Sequence, residues 1–293
     1  MKIVLFLILS IVSIELIAMN QVILKLGNSH LVAAFFDNEV ITDKLRLEYQ
    51  GNWLQQLSCK LSSHPNLRAA LIGSVNSKVE KQVSDVLKEQ LIPYIGHVSS
   101  ENLSINLKAD NPKEVGADLI ANVYGALKLY PNKNIIVVDI GTAVTFSVIK
   151  PSRTFLGAVI MPGLEMGAFA LEHLTDKLPL VDVEKPRTCL GTNSIDCISS
   201  GIYYGLLGAI DKILLELKNE SFPNEDIIIL LTGGVTTPEA ESSGFIPKTS
   251  ISKNLQKDLT ANANRRIEQD LTLVGFAEIL KEQLQTNIQT KEH

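Results

Sequence analysis

Two rhythms run along the chain. Short apolar runs rich in β-branched residues, at Val22–Leu26, Leu31–Phe36, Ala69–Ile72, Ile135–Ile140, Val144–Ile149, Phe155–Ile160 and Ile227–Leu231, predict strands. Between them, Lys78–Gln90, Pro112–Leu129, Gly163–Leu174, Ser194–Leu217 and Leu271–Gln285 carry apolar residues at three- and four-residue intervals and predict helices. Hairpins alternating with helices in this way predict an α/β protein with mixed sheets flanked by helices.

The strand pattern also repeats. Val22–Phe36 (VILKLGNSHLVAAFF) aligns on Val137–Ile149 (VVDIGTAVTFSVI), bringing Gly27 onto Gly141, Lys25 onto Asp139 and Asn28 onto Thr142. Each copy reads as a buried strand, a glycine, a small polar residue and a second strand. Glycine at such a turn lets the backbone approach an anion with no Cβ in the way, and a neighbouring hydroxyl or amide adds a donor. A carboxylate just ahead of the glycine repels phosphate, so Asp139 is useful there mainly through a bridging cation or as a base. A third glycine turn, LLTGGVTTPE at Leu230–Glu239, follows another apolar run. One such turn is an ordinary hairpin. Three, two of them related by duplication, point to phosphate cradling.

Composition narrows the class without changing this picture. A chain of 293 residues carries a prior of about two domains. With 45% hydrophobic and 20% charged residues and a net charge of -5 it has the make-up of a soluble globular protein. Lys and Arg are scattered, with no basic run interleaved with aromatics, so no nucleic-acid partner is expected. Cys59, Cys189 and Cys197 show neither CxxC spacing nor a His at a metal-ligand interval. They read as reduced thiols of a cytoplasmic protein, packed as small hydrophobes. The apolar run Ile3–Ile14 looks like a signal core but is too short to span a bilayer, is ended by Glu15 and lacks a small-x-small cleavage site. Residues 1–18 are therefore expected to be an extension upstream of a start at Met19, with a weak membrane anchor as the alternative. No stable membrane association is expected.

Six motifs in order then resemble those of the type III pantothenate kinases, within the acetate kinase, sugar kinase, Hsp70 and actin superfamily. KLGNS at Lys25–Ser29 resembles a first phosphate turn, DxGNT; NPKEVGADLIAN at Asn111–Asn122 resembles NPxxVGADRxxN; and DIGTAVTF at Asp139–Phe146 resembles DxGTAxTxD. GAVIMPGLEMGAFALEHLTDKLP at Gly157–Pro179 is similar to GGxIxPG followed by a helix and a T-x-x-LP turn. GTNSIDCISSGIYYGLLGAID at Gly191–Asp211 is similar to GxNTxxxxxSGxxxGxxGxID, and LTGG at Leu231–Gly234 to LTGGD. The resemblance implies two duplicated ribonuclease-H-like domains of the actin-like ATPase fold, here expected at 19–131 and 132–293, in a homodimer that phosphorylates pantothenate with ATP in the first step of coenzyme A synthesis.

By the same resemblance Asp118 is the general base and lies with Gly116 and Ala117 in the pantothenate segment. Gly27, Asn28 and Ser29 on one side and Gly141 and Thr142 on the other contact ATP phosphates, and Asp139 helps hold Mg2+ or a monovalent cation, K+ or NH4+. Thr175 reaches pantothenate bound to the partner subunit. Four positions depart from the family pattern: Lys25 stands for Asp, Leu119 for the Arg of GADR, Ser147 for the last Asp of the second turn, and Val235 for the Asp after the double glycine. Lys25 would either replace a metal as phosphate partner or neutralise Asp118. With Leu119 unable to grip a carboxylate, Lys113 and Arg153 become candidates for that task. A non-catalytic paralogue that binds a partner or a regulatory nucleotide, or a kinase for another small alcohol, are the alternatives the sequence leaves open.

Overall fold

Strand β1 (Gln21–Leu26) is paired on both edges, antiparallel to β2 (His30–Asp37) and parallel to β4 (Ala69–Ser74). Outside these lie β3 (Val40–Glu48) and β5 (Tyr94–His97), giving the order β3-β2-β1-β4-β5. This computed structural model describes residues 20–101, 103–234, 249–261 and 264–290, so Val235 and the extension 1–18 lie outside the described residues. A central strand is covered on both faces, which is why QVILKL reads as a nearly continuous apolar run. Its alternation sends Val22, Leu24 and Leu26 into one core cluster, with Trp53, Leu57 and Leu61 of α1 (Trp53–Ser62) and Val79, Val83 and Leu87 of α2 (Ser77–Glu89). Lys25 is thereby turned to the opposite face. The single helix expected over Pro112–Leu129 is two pieces, a 3-10 turn at Pro112–Glu114 and α3 (Ala117–Leu129), because Val115 takes an extended ψ of 116°.

The second sheet repeats the first. Strands β7 (Asn134–Ile140), β8 (Ala143–Lys150) and β9 (Thr154–Pro162) form an antiparallel meander. Strands β10 (Ile227–Thr232) and β11 (Arg265–Ile267) add in parallel on the β7 side, and the two-residue β6 (Asn106–Leu107) adds beside β9. The order β11-β10-β7-β8-β9-β6 contains the order and directions of the first sheet in full. Two copies of a three-strand meander with two parallel additions are the duplicated ribonuclease-H-like domains that the sequence leads one to expect. Helices α4 (Leu164–His173), α5 (Ser194–Ser221) and α6 (Thr249–Leu259) accompany this sheet, and its core joins Ile136, Val138, Ile140, Val144 and Phe146 to Tyr203, Leu206, Ile210 and Leu255. Among the described residues α5 is the one helix whose length and composition would allow it to cross a membrane. Its Ile198, Tyr203, Leu206, Ile210 and Leu214 are instead buried, all but Ile198 in this core.

The C-terminal helix α7 (Leu271–Thr290) goes back to the first sheet. The contacts divide the chain into the described residues up to Leu103, with Asn111–Lys128 and the residues from Thr272 onward, and a second unit of Ser104–Asp110 and Leu129–Leu271. This differs from the expected 19–131 and 132–293. The physical reason is a set of long-range fits that no local pattern announces. A Cβ on Gly275 would collide with the carbonyl of Ala121, and one on Gly73 with the Phe276 ring. Thr272 Oγ1 donates to buried Asn122 Oδ1 at 2.8 Å, and Tyr124 Oη to Glu282 Oε1 at 2.9 Å. The three cysteines, expected as buried small hydrophobes, are all exposed and free of disulfides, because none of them falls on a core-facing helix position.

Candidate functional site

The first unit gathers its chemistry at the β1–β2 turn. Gly27 N–H donates to His30 O at 3.0 Å and closes the turn, and the Tyr49 hydroxyl, just past β3, reaches both Gly27 O and His30 O at 3.0 Å. Asn28 and Ser29 are left exposed at the tip. A Cβ on Gly27 would lie 3.2 Å from His30 O, so the turn is tight. Gly27 therefore uses its own N–H for closure, which leaves Asn28 and Ser29 as the exposed polar groups at the tip. Gly116 O accepts from Ile120 N–H at 3.1 Å and starts α3, with Ala117 buried behind it. Asp118 sits in the first helical turn, where the macrodipole favours an anion.

Lys25 Nζ lies 3.5 Å from Asp118 Oδ2, with the two side chains 21% and 30% exposed. Coulomb attraction at that distance is about 5 kcal/mol at an effective dielectric of about 20. Partly exposed pairs nonetheless return only about 0.2–1 kcal/mol of stability after desolvation and ordering. Around this ion pair, burial first and then Arg46 and Lys25 push His30 down to about 4, so its ring, 3.3 Å from Arg46 Nη2, is neutral at pH 7. Burial, with Asp118 adding to it, pushes the Tyr49 phenol well above its usual range. Arg46 has no motif signal, because it stands on β3, an edge strand with one mostly exposed face (VITDKLRLE).

In the second unit the β7–β8 turn has the same closure: Gly141 N–H donates to Ala143 O at 3.1 Å, leaving Thr142 exposed as the donor. Two further glycines wall this turn. Gly163 N–H donates to Thr142 O at 3.0 Å, and a Cβ there would come within 2.7 Å of Thr142 O and closer still to Gly141 O. Gly233, at φ +100°, has no room for a Cβ beside Asp139 Oδ1 and the Ile140 backbone. Both stand inside the GAVIMPG and LTGG strings, so the signal was present, but only the fold shows that they surround the Asp139 turn. Gly163 also caps α4 without a side-chain hydrogen bond, aiming that helix start at the turn.

The remaining candidates lie elsewhere or have other work. The Thr175 hydroxyl donates to Leu171 O at 2.8 Å and accepts from Leu178 N–H at 3.3 Å, finishing α4 on an exposed corner. Lys113 pairs with Glu101 at 3.0 Å. Arg153 Nε donates to Ser104 O at 3.0 Å beyond the far end of β8, about 25 Å along the strand from Thr142 at ~3.4 Å per residue. Arg153 is thus no neighbour of the Thr142 turn. Ser147 is fully buried within β8, and its Oγ has no hydrogen-bond partner among the described residues. Leu119 is half-buried beside Asp118.

Known proteins can now be set against this geometry. A family model described as type III pantothenate kinase matches residues 22–216. The type III pantothenate kinase of Legionella pneumophila (strain Paris) is 35% identical over 223 residues, 72% of this chain and 86% of that protein. The type III pantothenate kinase 1 of Francisella tularensis subsp. holarctica (strain OSU18) is 33% identical over 227 residues, 73% and 87% of the two chains. Among solved structures, a conserved Baf-family protein from Campylobacter jejuni aligns with a TM-score of 0.54 at 16% identity, covering 90% of this chain and 99% of that one. The ADPNP-bound activator of the 2-hydroxyisocaproyl-CoA dehydratase from Clostridium difficile aligns at 0.50 and 10% identity, over 93% and 98%. At these identities the two structures speak for the fold alone.

Proposed function

The chain belongs to the type III pantothenate kinase family, and on that premise we propose that it transfers the γ-phosphoryl group of ATP to the 4′-hydroxyl of pantothenate, with Asp118 taking the hydroxyl proton. The observation that carries the residue assignment is the ion pair that ties Asp118, at the start of α3, to the end of β1 beside the Gly27 turn. A carboxylate held ionised at a phosphate turn is what proton removal from an alcohol requires. Most of the remaining catalysis in phosphoryl transfer is positioning and charge stabilisation. Gly27, Asn28 and Ser29 form one phosphate turn, Gly141 and Thr142 the other, and Gly116 and Ala117 shape the backbone before the base. Gly163 and Gly233 keep the second turn free of side chains.

Mg2+ needs few protein ligands when phosphates supply the others. Among the described residues no group of three His, Cys, Asp or Glu could hold a metal. Asp139 is the one carboxylate at a phosphate turn suited to hold it, or a monovalent cation, K+ or NH4+. The bound ion supplies charge neutralisation on the phosphate oxygens. The first turn does not fit a cation, since Lys25 already places an ammonium there.

The working form is a cytoplasmic homodimer. Gly201, Gly205 and Gly208 line an exposed face of α5, and a Cβ on any of them would meet nothing within 4 Å. Each glycine costs a helix interior about 1 kcal/mol relative to Ala, and nothing described in this chain requires it. A second backbone approaching that face does. Exposed Met166, Phe169, Ile195 and Tyr204 on α4 and α5 supply apolar area for the same contact. Thr175, at the end of α4, then reaches the pantothenate bound to the other copy.

The test is ATP-dependent phosphorylation of pantothenate by the purified protein and by Asp118→Asn. The wild type turns over, and the variant loses about 10²–10⁴-fold in kcat. Retention of kcat within a few-fold by Asp118→Asn removes Asp118 from the role of base.

A further inference from the structure

We propose that Lys25 is a positioning residue for the proton transfer: an ammonium built into β1 that helps hold Asp118 as a carboxylate, so that the base stays ready to lower pH than it would without that ammonium. This rests on Asp118 being the base. The support is geometric. Lys25 sits on the face of β1 opposite the core cluster, and α3 delivers Asp118 Oδ2 to within 3.5 Å of its nitrogen. The charged and titratable groups at this turn, from each strand that contributes, are Lys25 on β1, His30 on β2, Arg46 and Glu48 on β3 with Glu48 opposite His30 in the register, Tyr49 after it, and Asp118 on α3. His30 stays neutral, and Tyr49 stays a phenol with its hydroxyl on two backbone carbonyls. Neither competes with Asp118 for the proton.

The arrangement carries a trade. An adjacent cation keeps the carboxylate ionised to lower pH but makes it a weaker base once ionised. Lys25 therefore extends the acid side of the activity range rather than raising the maximal rate.

The experiment is the pH profile of kcat/KM for pantothenate phosphorylation with wild type, Lys25→Met, Lys25→Arg and Asp118→Asn, together with 13C NMR titration of the Asp118 carboxyl in wild type and Lys25→Met. In Lys25→Met both the acid limb of the profile and the carboxyl titration move up by about 0.2–0.7 pH units, the size that a partly exposed pair supplies. Lys25→Arg, which keeps the charge, brings both back. An unmoved carboxyl titration in a folded Lys25→Met overturns the proposal. So does a uniform loss of rate at every pH with a raised KM for ATP, which would make Lys25 a phosphate ligand. Should Lys25→Met fail to fold, Lys25→Gln takes its place in the same two measurements. Full activity in Asp118→Asn defeats the underlying assignment of the base, whereas the NMR titration reports on Lys25 independently of turnover.

Discussion

Replacing Gly163 by Ala tests whether the β7–β8 turn is a phosphate site. The backbone at Gly163 has φ -82°, which alanine adopts without strain, so any effect comes from the added methyl group alone. That methyl would sit within 2.7 Å of Thr142 O and closer to Gly141 O, both backbone atoms, while Gly163 N–H is bonded to the same Thr142 carbonyl. Relief requires the turn and the start of α4 to part by roughly 1 Å, and a misplacement of that size costs a catalytic site about 10²-fold. Overpacking of this kind costs about 1–3 kcal/mol of stability, which a chain with an ordinary margin survives. The assay is the KM for ATP and kcat/KM, alongside a thermal melt to exclude unfolding. Gly167→Ala is the control, since its methyl meets only the Ile202 side chain at 3.8 Å and gains about 1 kcal/mol of helix propensity. A folded Gly163→Ala enzyme with kcat/KM for ATP within threefold of wild type refutes phosphate binding at Gly141 and Thr142.

Two further outcomes follow. The dimer proposed above predicts that Gly205→Leu, whose side chain meets no described atom near its Cβ, leaves the protomer folded and halves the mass found for the wild type in sedimentation equilibrium; a variant that keeps the wild-type mass overturns this interface. His30 carries a folded pKa of about 4 against about 6.5 unfolded, so the unfolded chain takes up the proton first as pH falls. The fold then loses up to about 3 kcal/mol between pH 6.5 and 4, with no contribution from this group above 6.5. Urea denaturation at pH 7 and pH 4.5 should show a smaller loss for His30→Gln than for wild type, and equal losses would place the ring in an unperturbed environment.

The fold was legible where a strand is central and a helix is periodic. The runs at Val22, Ile135, Val144 and Ile227 each lie within one or two residues of an observed strand, because strands covered on both faces are continuously apolar. Strand β3 and helix α1 had no such mark. VITDKLRLE is an edge strand whose alternation is masked by charged residues on its exposed face, and WLQQLSCKLS buries only three side chains. The placement of α7 was illegible for a different reason. It depends on absences, the missing Cβ atoms of Gly73 and Gly275, and these become meaningful only when Phe276 and Ala121 are brought against them. The site divided along the same line. Repeated turns exposed Gly27, Gly141 and Asp139, and the motif order exposed Asp118, whereas Tyr49, His30 and Arg46 needed the sheet register to bring them beside the first turn.

Register also explains how one repeat can serve two purposes. Lys25 pairs with Val32 and Gly73, and Asp139 with Thr145 and Thr232, so the two residues occupy equivalent places between a hairpin partner and a parallel neighbour. Equivalent backbone does not fix charge. At the first turn Lys25 places an ammonium 3.5 Å from Asp118, with Arg46 beside a neutral His30 and Glu48 opposite that ring in the register. An aspartate at position 25 would change the charge there by two units, at a distance where each charge pair is worth several kcal/mol. The second turn keeps its carboxylate at Asp139, and phosphate there is favourable only with a cation between them. One backbone geometry thus appears twice, and the residue at position 25 gives the first turn a charge opposite to that of Asp139 at the second.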